Sequence, residues 1–220
     1  MRILTLNNIE EVASQTEVLM RELFNKKKEV IRGFFPTGKS ADSFYSRLRS
    51  DQFWRRKFLG LQIDEFAQNG NLFLSQLQKQ LIWPLQLEEQ FETIDPSWSD
   101  SEMQKHIERV TSLPIDFALL GLGPNGHIGF HEPDIGDESF AGGRVRLTEL
   151  SMKRVTGAAT DSALTFGAGS FLKARRIIML VVGAEKEPVY REFLESEPSS
   201  RIPATLLKGH GDFTVLKLRG

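Results

Sequence analysis

Two histidines and a carboxylate, His127, His131 and Glu132, fall within six residues of one another in a glycine-rich stretch of this 220-residue chain. A histidine exchanges protons near neutral pH, and a carboxylate beside it stabilises its charged form and fixes its tautomer. The stretch begins with a short apolar run at residues 117–120, which favours a strand buried on both faces of a parallel sheet. The glycines and proline that follow predict a tight turn. Because ligands of open α/β sheets bind beyond the carboxyl ends of the strands, we interpret this stretch as a catalytic loop.

The spacing of the two histidines also raises the question of a metal site. His127 and His131 are four residues apart, as in helical zinc-binding pairs. Gly126, Gly129 and Pro133 disfavour a helix here, and neither metalloprotease motif is present. We therefore predict no metal site at this loop.

A pair of carboxyl groups follows a second predicted strand. Asp64 and Glu65 come directly after residues 58–63. The charge of Glu65 would raise the pKa of the neighbouring Asp64. The alternative interpretation is a hydrated acidic strand end with no chemical role.

The turn at residues 36–40 carries groups that bind anions. Thr37, Gly38, Lys39 and Ser40 precede a predicted helix, and the first N–H groups and the dipole of a helix favour a negative ligand. A hydroxyl and a cation at that position predict a site for one phosphate monoester. The alternative is that Ser40 only caps the helix and that Lys39 is solvated.

Residues 33–40 also match the P-loop pattern of nucleotide triphosphatases. On that reading, the acidic residues after strand 58–63 would bind magnesium. Phe34 and Phe35 instead favour a continuing strand where a P-loop must bend around phosphates. The triphosphatase reading also leaves the histidine loop without a function, so we regard it as the weaker alternative.

Strands and helices alternate along the chain, which predicts an α/β fold with right-handed crossovers. We expect a single domain spanning residues 1–220, with a doubly wound, mostly parallel, Rossmann-like sheet and helices on both faces. The predicted helices are residues 8–28, 41–50, 72–83, 99–112, 187–195 and 203–207. The predicted strands are residues 29–35, 58–63, 144–147, 176–183 and 213–218, with a central strand from residue 117 and a short one at 91–94.

Composition narrows the class of protein. The chain is 40% hydrophobic and 26% charged, with a net charge of −1, so nothing favours nucleic acid or an anionic membrane as a partner. It contains no cysteine, which excludes disulfides and thiolate metal sites. The first residues are unlike a signal peptide, and no apolar run approaches the ~20 residues of a membrane span. We expect a cytoplasmic protein.

Six motifs in order along the chain together resemble the glucosamine-6-phosphate deaminase/isomerase and 6-phosphogluconolactonase superfamily. They are residues 35–38, 63–65, 121–133, 163–169, 182–186 and 203–207. The Gly-His-Ile sequence at 126–128, followed by Phe-His-Glu-Pro at 130–133, is similar to the deaminase branch. The lactonase branch usually continues Gly-His-Thr-Ala-Ser.

The resemblance implies an enzyme acting on a small-molecule sugar phosphate, without a metal or organic cofactor. In the deaminases the sugar ring opens, the aldose isomerises to a ketose, and ammonia is lost to give fructose 6-phosphate. We place such an amino-sugar-phosphate isomerase/deaminase in the hydrolase class. The resemblance does not define the oligomeric state.

The resemblance also implies roles for individual residues. Asp64 would be the base that moves a proton between C2 and C1, and His127, oriented by Glu132, would protonate the ring oxygen. Thr37, Gly38, Lys39 and Ser40 would hold the phosphate, together with Lys186 and one arginine of the pair Arg144 and Arg146. We prefer Arg144, whose guanidinium could grip a phosphate with two hydrogen bonds.

One departure from the family pattern affects the catalytic loop. Asn125 stands where both branches usually have Asp, and an amide orients groups by hydrogen bonding but does not ionise. We predict a glucosamine-6-phosphate deaminase/isomerase. The alternatives are a 6-phosphogluconolactonase-type lactone hydrolase and, because of Asn125, a catalytically impaired sugar-phosphate-binding protein.

Overall fold

The computed structural model describes residues 1–27, 30–67, 71–154 and 160–220. Its strands are β1 (Arg2–Leu6), β2 (Ile31–Phe35), β3 (Phe58–Gln62), β4 (Asp64–Phe66), β5 (Phe91–Glu92), β6 (Ile115–Gly121), β7 (Gly142–Arg146), β8 (Ser162–Phe166), β9 (Ala174–Val181) and β10 (Phe213–Leu218). Its helices are α1 (Ile9–Lys27), α2 (Lys39–Ser50), α3 (Leu72–Leu77), α4 (Trp83–Leu85), α5 (Asp100–Thr111), α6 (Glu149–Arg154), α7 (Ala168–Phe171) and α8 (Glu187–Glu195). Lys28 and Glu29, at the junction of the first predicted helix and strand, lie outside the described residues.

Seven strands form one parallel sheet, in the order β1-β10-β9-β6-β2-β3-β5. Strands β2, β3 and β5 follow one another towards one edge, whereas β9, β10 and β1 lie on the far side of β6. The strand order therefore reverses between β2 and β6. In open α/β sheets this reversal opens a crevice at the carboxyl ends of the strands.

The two faces of this sheet are covered by different helices, which explains why its central strands are apolar throughout. Phe34 and Phe35 are consecutive in β2 and point to opposite faces. Phe34 packs in the core that includes α5, α7 and α8. Phe35 packs in the core that includes α1 and α2. Both side chains are fully buried, which stabilises the fold by roughly 1.5–3 kcal/mol each.

The fold class predicted from the sequence, an α/β fold with a mostly parallel sheet and helices on both faces, is confirmed. The sequence pattern did not predict β1, an edge strand that pairs with β10 from the opposite end of the chain. The predicted helix at 72–83 is composite, because a π-helical turn over Gln78–Ile82 separates α3 from α4.

A second, antiparallel sheet of three strands in the order β4-β8-β7 was also not predicted. The chain leaves β3 after Gln62 and enters β4 at Asp64, so it passes from one sheet to the other within two residues. Among the described parts of the chain, no helix is both long and apolar enough to cross a membrane.

Candidate active site

The candidate site is a cleft of about 490 Å³ at the carboxyl edge of the large sheet, where the strand order reverses. It is lined by the segments that follow four neighbouring strands, β3, β2, β6 and β9. These segments contribute residues 36–40, 63–64, 121–124, 127, 182 and 185–186, and the wall is completed by Phe73, Gly129, Phe130 and Ser151.

The turn between β2 and α2 presents a helix N-terminus to this cleft. Gly38 is the N-cap residue, with a φ of 95°, and no side chain caps the helix. This φ favours glycine, and an uncapped first turn keeps N–H groups available for a ligand. The alternative that Ser40 caps the helix is wrong, because Ser40 is the second residue of α2. The P-loop alternative also loses support, because β2 continues through Phe35.

A buried cation lies beside that helix N-terminus. Lys186 follows β9 and is 8% exposed, and its Nζ donates a hydrogen bond of 2.8 Å to Oγ of Ser40. Strands β9 and β2 flank β6, so the loops that follow them meet above the central strand. Five of the six predicted phosphate residues (Thr37, Gly38, Lys39, Ser40 and Lys186) line this cleft. The arrangement suits a phosphate group.

Arg144, the sixth predicted phosphate residue, does not line the cleft. Side chains alternate along β7, and Val145 belongs to the same buried cluster as Phe130, which lines the cleft. Arg144 therefore points away, where its Nε donates to Asp100 at 2.6 Å and its Nη2 donates to the carbonyl of Trp98 at 2.6 Å. The preference for Arg144 is corrected accordingly: its guanidinium ties β7 to the start of α5.

Asp64 places a buried carboxyl group in the cleft. It is the first residue of β4, is 7% exposed, and lines the wall next to Ile63. Burial raises the pKa of Asp64 well above its ordinary value, and the charge of Glu65 raises it further. A carboxyl group held in this way suits proton transfer at neutral pH.

Glu65 points away from the cleft and has a structural contact of its own. Its carboxylate accepts hydrogen bonds from the backbone N–H groups of Phe73 (3.1 Å) and Leu74 (2.8 Å) in the first turn of α3. It also accepts from Nε2 of Gln62 at 3.1 Å. Glu65 thus fixes α3, which carries Phe73 into the cleft wall, and the interpretation of a hydrated strand end is wrong for this residue.

His127 is placed by the glycine turn after β6. The turn is closed by bonds from the N–H of Gly123 to the carbonyl of His127 (2.9 Å) and from the N–H of Gly126 to the carbonyl of Gly123 (3.1 Å). The imidazole lies against Gly123 so closely that a Cβ there would be 2.2 Å from Cδ2 and 2.3 Å from Nε2. The glycine is therefore required by the close approach of the ring. The other edge of the ring, at Nδ1, faces Glu132, with 3.5 Å between Nδ1 and Oε1.

Glu132 is a fully buried carboxylate that accepts hydrogen bonds from three neutral groups. Its Oε2 accepts from Nδ2 of Asn125 at 2.7 Å and from Oγ1 of Thr148 at 2.9 Å, and its Oε1 accepts from Oγ of Ser151. A buried charge requires such partners. Glu132 is thereby held in position beside the imidazole.

Asn125 belongs to this network and not to the wall of the cleft. Besides its bond to Glu132, its Nδ2 donates to Thr148 Oγ1 at 3.2 Å, and its Oδ1 accepts from the N–H of His127 at 3.3 Å. It therefore orients both members of the His127–Glu132 pair by hydrogen bonding, which is the role an amide can perform.

Sequence reasoning missed Ser151 and Thr148, because serine and threonine are common and nothing in their spacing separates them from other helix-start residues. It also missed the aromatic wall formed by Phe73 and Phe130, whose stacked rings have centroids 5.6 Å apart. An aromatic pair among apolar residues resembles ordinary core, and only the fold places it at a cleft.

His131 does not line the cleft and lies in the protein interior. It is fully buried, its Nδ1 accepts from the N–H of Ala168 at 3.2 Å, and its Nε2 bonds to the carbonyl of Ile135. Burial lowers the pKa of His131, so the neutral ring links the histidine loop to α7. Within the described ranges, no group of three or more His, Cys, Asp or Glu side chains is arranged to hold a metal ion.

A family model described as glucosamine-6-phosphate isomerases/6-phosphogluconolactonase matches residues 65–215. The glucosamine-6-phosphate deaminase of Bacillus cereus (strain B4264) is 29% identical over 230 aligned residues, covering 98% of this chain and 86% of that protein. The same values hold for the deaminase of Bacillus anthracis (strain A0248). The matched region of the family model includes the histidine loop and Lys186, and the alignments with the deaminases extend over nearly the whole chain.

Two solved structures show the same fold. A monomeric glucosamine-6-phosphate deaminase superimposes with a TM-score of 0.89 at 24% identity, covering 100% of this chain and 98% of that chain. The 6-phosphogluconolactonase of Thermotoga maritima superimposes with a TM-score of 0.78 at 16% identity, covering 99% of both chains. The predicted hydrolase class fits the lactonase name and does not follow from the deaminase and isomerase names.

Proposed function

Because the chain belongs to the glucosamine-6-phosphate isomerase/6-phosphogluconolactonase family, we propose that it converts glucosamine 6-phosphate and water into fructose 6-phosphate and ammonia. The observation that carries the proposal is the convergence in one cleft of a buried carboxyl group, an imidazole–carboxylate pair and a cationic helix N-terminus. The similarity to the deaminases over 98% of the chain supports this substrate.

The substrate phosphate binds at the start of α2. The N–H groups of the first turn, the hydroxyl of Ser40 and the ammonium of Lys186 form a site for a dianion. Anchoring this end of the sugar places its other end near the imidazole and Asp64. Binding energy at the phosphate thereby aligns the reacting carbons.

His127 acts as the general acid in ring opening. Its imidazolium donates a proton to the ring oxygen as the bond between that oxygen and C1 breaks, and the C1 hydroxyl releases its proton to solvent to give the aldehyde. Glu132 stabilises the charged ring from the Nδ1 side. Gly123 beneath the ring and Asn125 at Glu132 keep this pair aligned.

Asp64 then moves a proton from C2 to C1. As an ionised base it takes the C2 proton while the aldehyde oxygen takes a proton from solvent. The carboxylic acid so formed returns a proton to C1, which gives the protonated imine of the ketose. Water adds at C2 and ammonia leaves, giving fructose 6-phosphate. The buried position that raises the pKa of Asp64 makes the carboxylate a stronger base than an exposed aspartate.

Lactone hydrolysis is the second candidate, because a lactonase shares the fold and an imidazole in the cleft could activate water. That reaction gives no role to Asp64, a buried carboxyl group that is costly to ionise. Proton transfer between two carbons requires such a base, so the geometry favours the deaminase. Asn125 holds Glu132 beside the imidazole by a hydrogen bond, which favours turnover over binding alone.

The test is incubation with glucosamine 6-phosphate, with ammonia and fructose 6-phosphate measured separately, and with 6-phosphogluconolactone in a parallel assay. We expect equal amounts of the first two products. Asp64→Asn and His127→Ala should each lower kcat by roughly 10²- to 10⁴-fold while phosphate binding is retained. Glu138→Gln, a carboxylate-to-amide change at an exposed position, is the matched control and should leave the rate unchanged.

Each contrary outcome has a definite meaning. Hydrolysis of the lactone alone would assign the protein to the second candidate. Tight binding of glucosamine 6-phosphate without product would show a binding protein. Full activity in Asp64→Asn or His127→Ala would refute the role assigned to that residue.

A further inference from the structure

Ser151 lies at the junction of His127 and Glu132, and we infer that it is a positioning residue that sets the distance between them. The inference rests on the proposed function, in which His127 is the general acid. It concerns a residue that lies outside the family-resembling motifs and on a different element from the histidine loop.

The contacts of Ser151 connect both partners. Its side chain is 3% exposed and lines the cleft. Its Oγ donates to Oε1 of Glu132 and lies 3.4 Å from Nδ1 of His127. The same Oε1 is 3.5 Å from Nδ1, so one carboxylate oxygen is shared between the hydroxyl and the edge of the ring.

The hydroxyl keeps the imidazole at a distance from the carboxylate. A charge-assisted hydrogen bond between an imidazolium and a carboxylate has a length of about 2.7–2.9 Å, whereas the distance between Nδ1 and Oε1 is 3.5 Å. Because Ser151 already occupies Oε1, the ring is held about 0.7 Å short of a charge-assisted hydrogen bond to the carboxylate. Glu132 therefore orients the imidazole of His127 without forming a short hydrogen bond to it.

Removing the hydroxyl should let the ring move. In Ser151→Ala, Oε1 of Glu132 loses a donor, and the shortest way to satisfy it is for Nδ1 to approach by about 0.7 Å. That movement draws Nε2 away from Gly123 and from the substrate. A displacement of about 1 Å of a catalytic group costs on the order of 100-fold in rate, so we expect about a tenfold loss of kcat with KM within twofold of wild type.

The experiment combines kinetics with proton NMR of the ligand-free protein. The Nδ1–H signal of His127 is identified by its loss in His127→Ala. It should move downfield in Ser151→Ala, because the proton enters a shorter, charge-assisted bond. Ser151→Thr keeps the hydroxyl and should restore both the signal and most of kcat. The charged groups that line the same cleft (Lys39, Asp64, Glu185 and Lys186) are unchanged in all variants.

Ser170→Ala is the matched control, since Ser170 is fully buried and its Oγ donates to the carbonyl of Ala141 at 2.6 Å, away from the cleft. It should lower stability without moving the signal of His127. A Ser151→Ala variant with unchanged kcat and an unmoved signal overturns the inference. So does a loss of kcat with no change in the signal. If wild-type protein does not process glucosamine 6-phosphate, the proposed function fails, and the NMR signal still decides whether Ser151 sets the position of the ring.

Discussion

Gly123→Ala tests the geometry of the proposed acid more directly than removal of the imidazole itself. The added Cβ would be 2.2 Å from Cδ2 of His127, whereas carbon atoms in contact are normally about 3.5 Å apart. Relief of this overlap requires the ring to move by about 1.3 Å. The backbone at residue 123 gives no reason for strain, because its φ lies outside the left-handed region.

The expected effect is on kcat. A displacement of about 1 Å of a catalytic group costs on the order of 100-fold, or about 2.7 kcal/mol in the activation free energy. The phosphate site after β2 is untouched, so KM should stay within threefold of wild type. The side chain of His127 is 16% exposed, so it can rotate towards the cleft, and the melting temperature should change little.

The assay is steady-state release of fructose 6-phosphate from glucosamine 6-phosphate by four proteins: wild type, Gly123→Ala, His127→Ala and the double variant. If the alanine acts through the ring, adding Gly123→Ala to His127→Ala should change kcat by less than threefold, because effects of groups that act as a unit do not add. Gly209→Ala is the control, since no atom lies within 4 Å of a Cβ at that position.

Two results would refute this reasoning. The first is a Gly123→Ala variant with wild-type kcat, which would mean that the position of the ring does not matter. The second is a double variant whose losses multiply, which would mean that Gly123 acts on the reaction by a route other than His127.

Three further changes have distinct expected outcomes. Asp64→Asn should raise the melting temperature at pH 8 but not at pH 4. The folded-state pKa of Asp64 is raised by burial and further by Glu65, so the native state binds the proton more tightly than the unfolded state. Wild-type protein therefore loses stability as pH rises through that pKa, by about 1.4 kcal/mol per unit of pKa difference. An Asn variant that is less stable than wild type at pH 8 would contradict this. Lys186→Met should raise KM for the sugar phosphate 10- to 100-fold, the effect expected from losing one charge-assisted hydrogen bond, and kcat should change less. An unchanged KM together with unchanged inhibition by inorganic phosphate would exclude Lys186 from the phosphate site. Asn125→Asp should replace a 2.7 Å hydrogen bond with two carboxylates in contact, which cannot both ionise in a buried site. The melting temperature of this variant relative to wild type should therefore be lower at pH 8 than at pH 5. An equal difference at both pH values would count against this explanation.

The parts of the site that follow parallel strands could be predicted from the sequence. The turn at Thr37, the carboxyl group at Asp64, the loop at His127 and the lysine at 186 each come after an apolar segment, and a parallel sheet gathers the carboxyl ends of its strands at one edge. The convergence of these residues in one cleft therefore required only the correct fold class.

The parts that depend on the antiparallel sheet could not be predicted in this way. Strand β4 has three residues and follows β3 almost directly, so the two read as one strand with an acidic end. Without β4 and β8, nothing in the sequence shows that Val145 faces the cluster of Phe130 and that Arg144 faces Asp100. Ser151 lies in α6, which follows β7 of this sheet, and its position at the site depends on that placement and not on a local pattern.

The amide at position 125 changes which groups share the charge of Glu132. With Asp at that position, two carboxylates would compete for one proton and for the imidazole. With Asn125, the donors to Glu132 are an amide and two hydroxyl groups, all neutral, so among its described contacts His127 is the partner that can carry a positive charge. A buried carboxylate gains most from the one contact that compensates its charge. The replacement of the usual Asp therefore leaves the negative charge of Glu132 directed at His127, the proposed acid. This gives a physical reason to expect turnover from a loop that lacks one of the family's carboxylates.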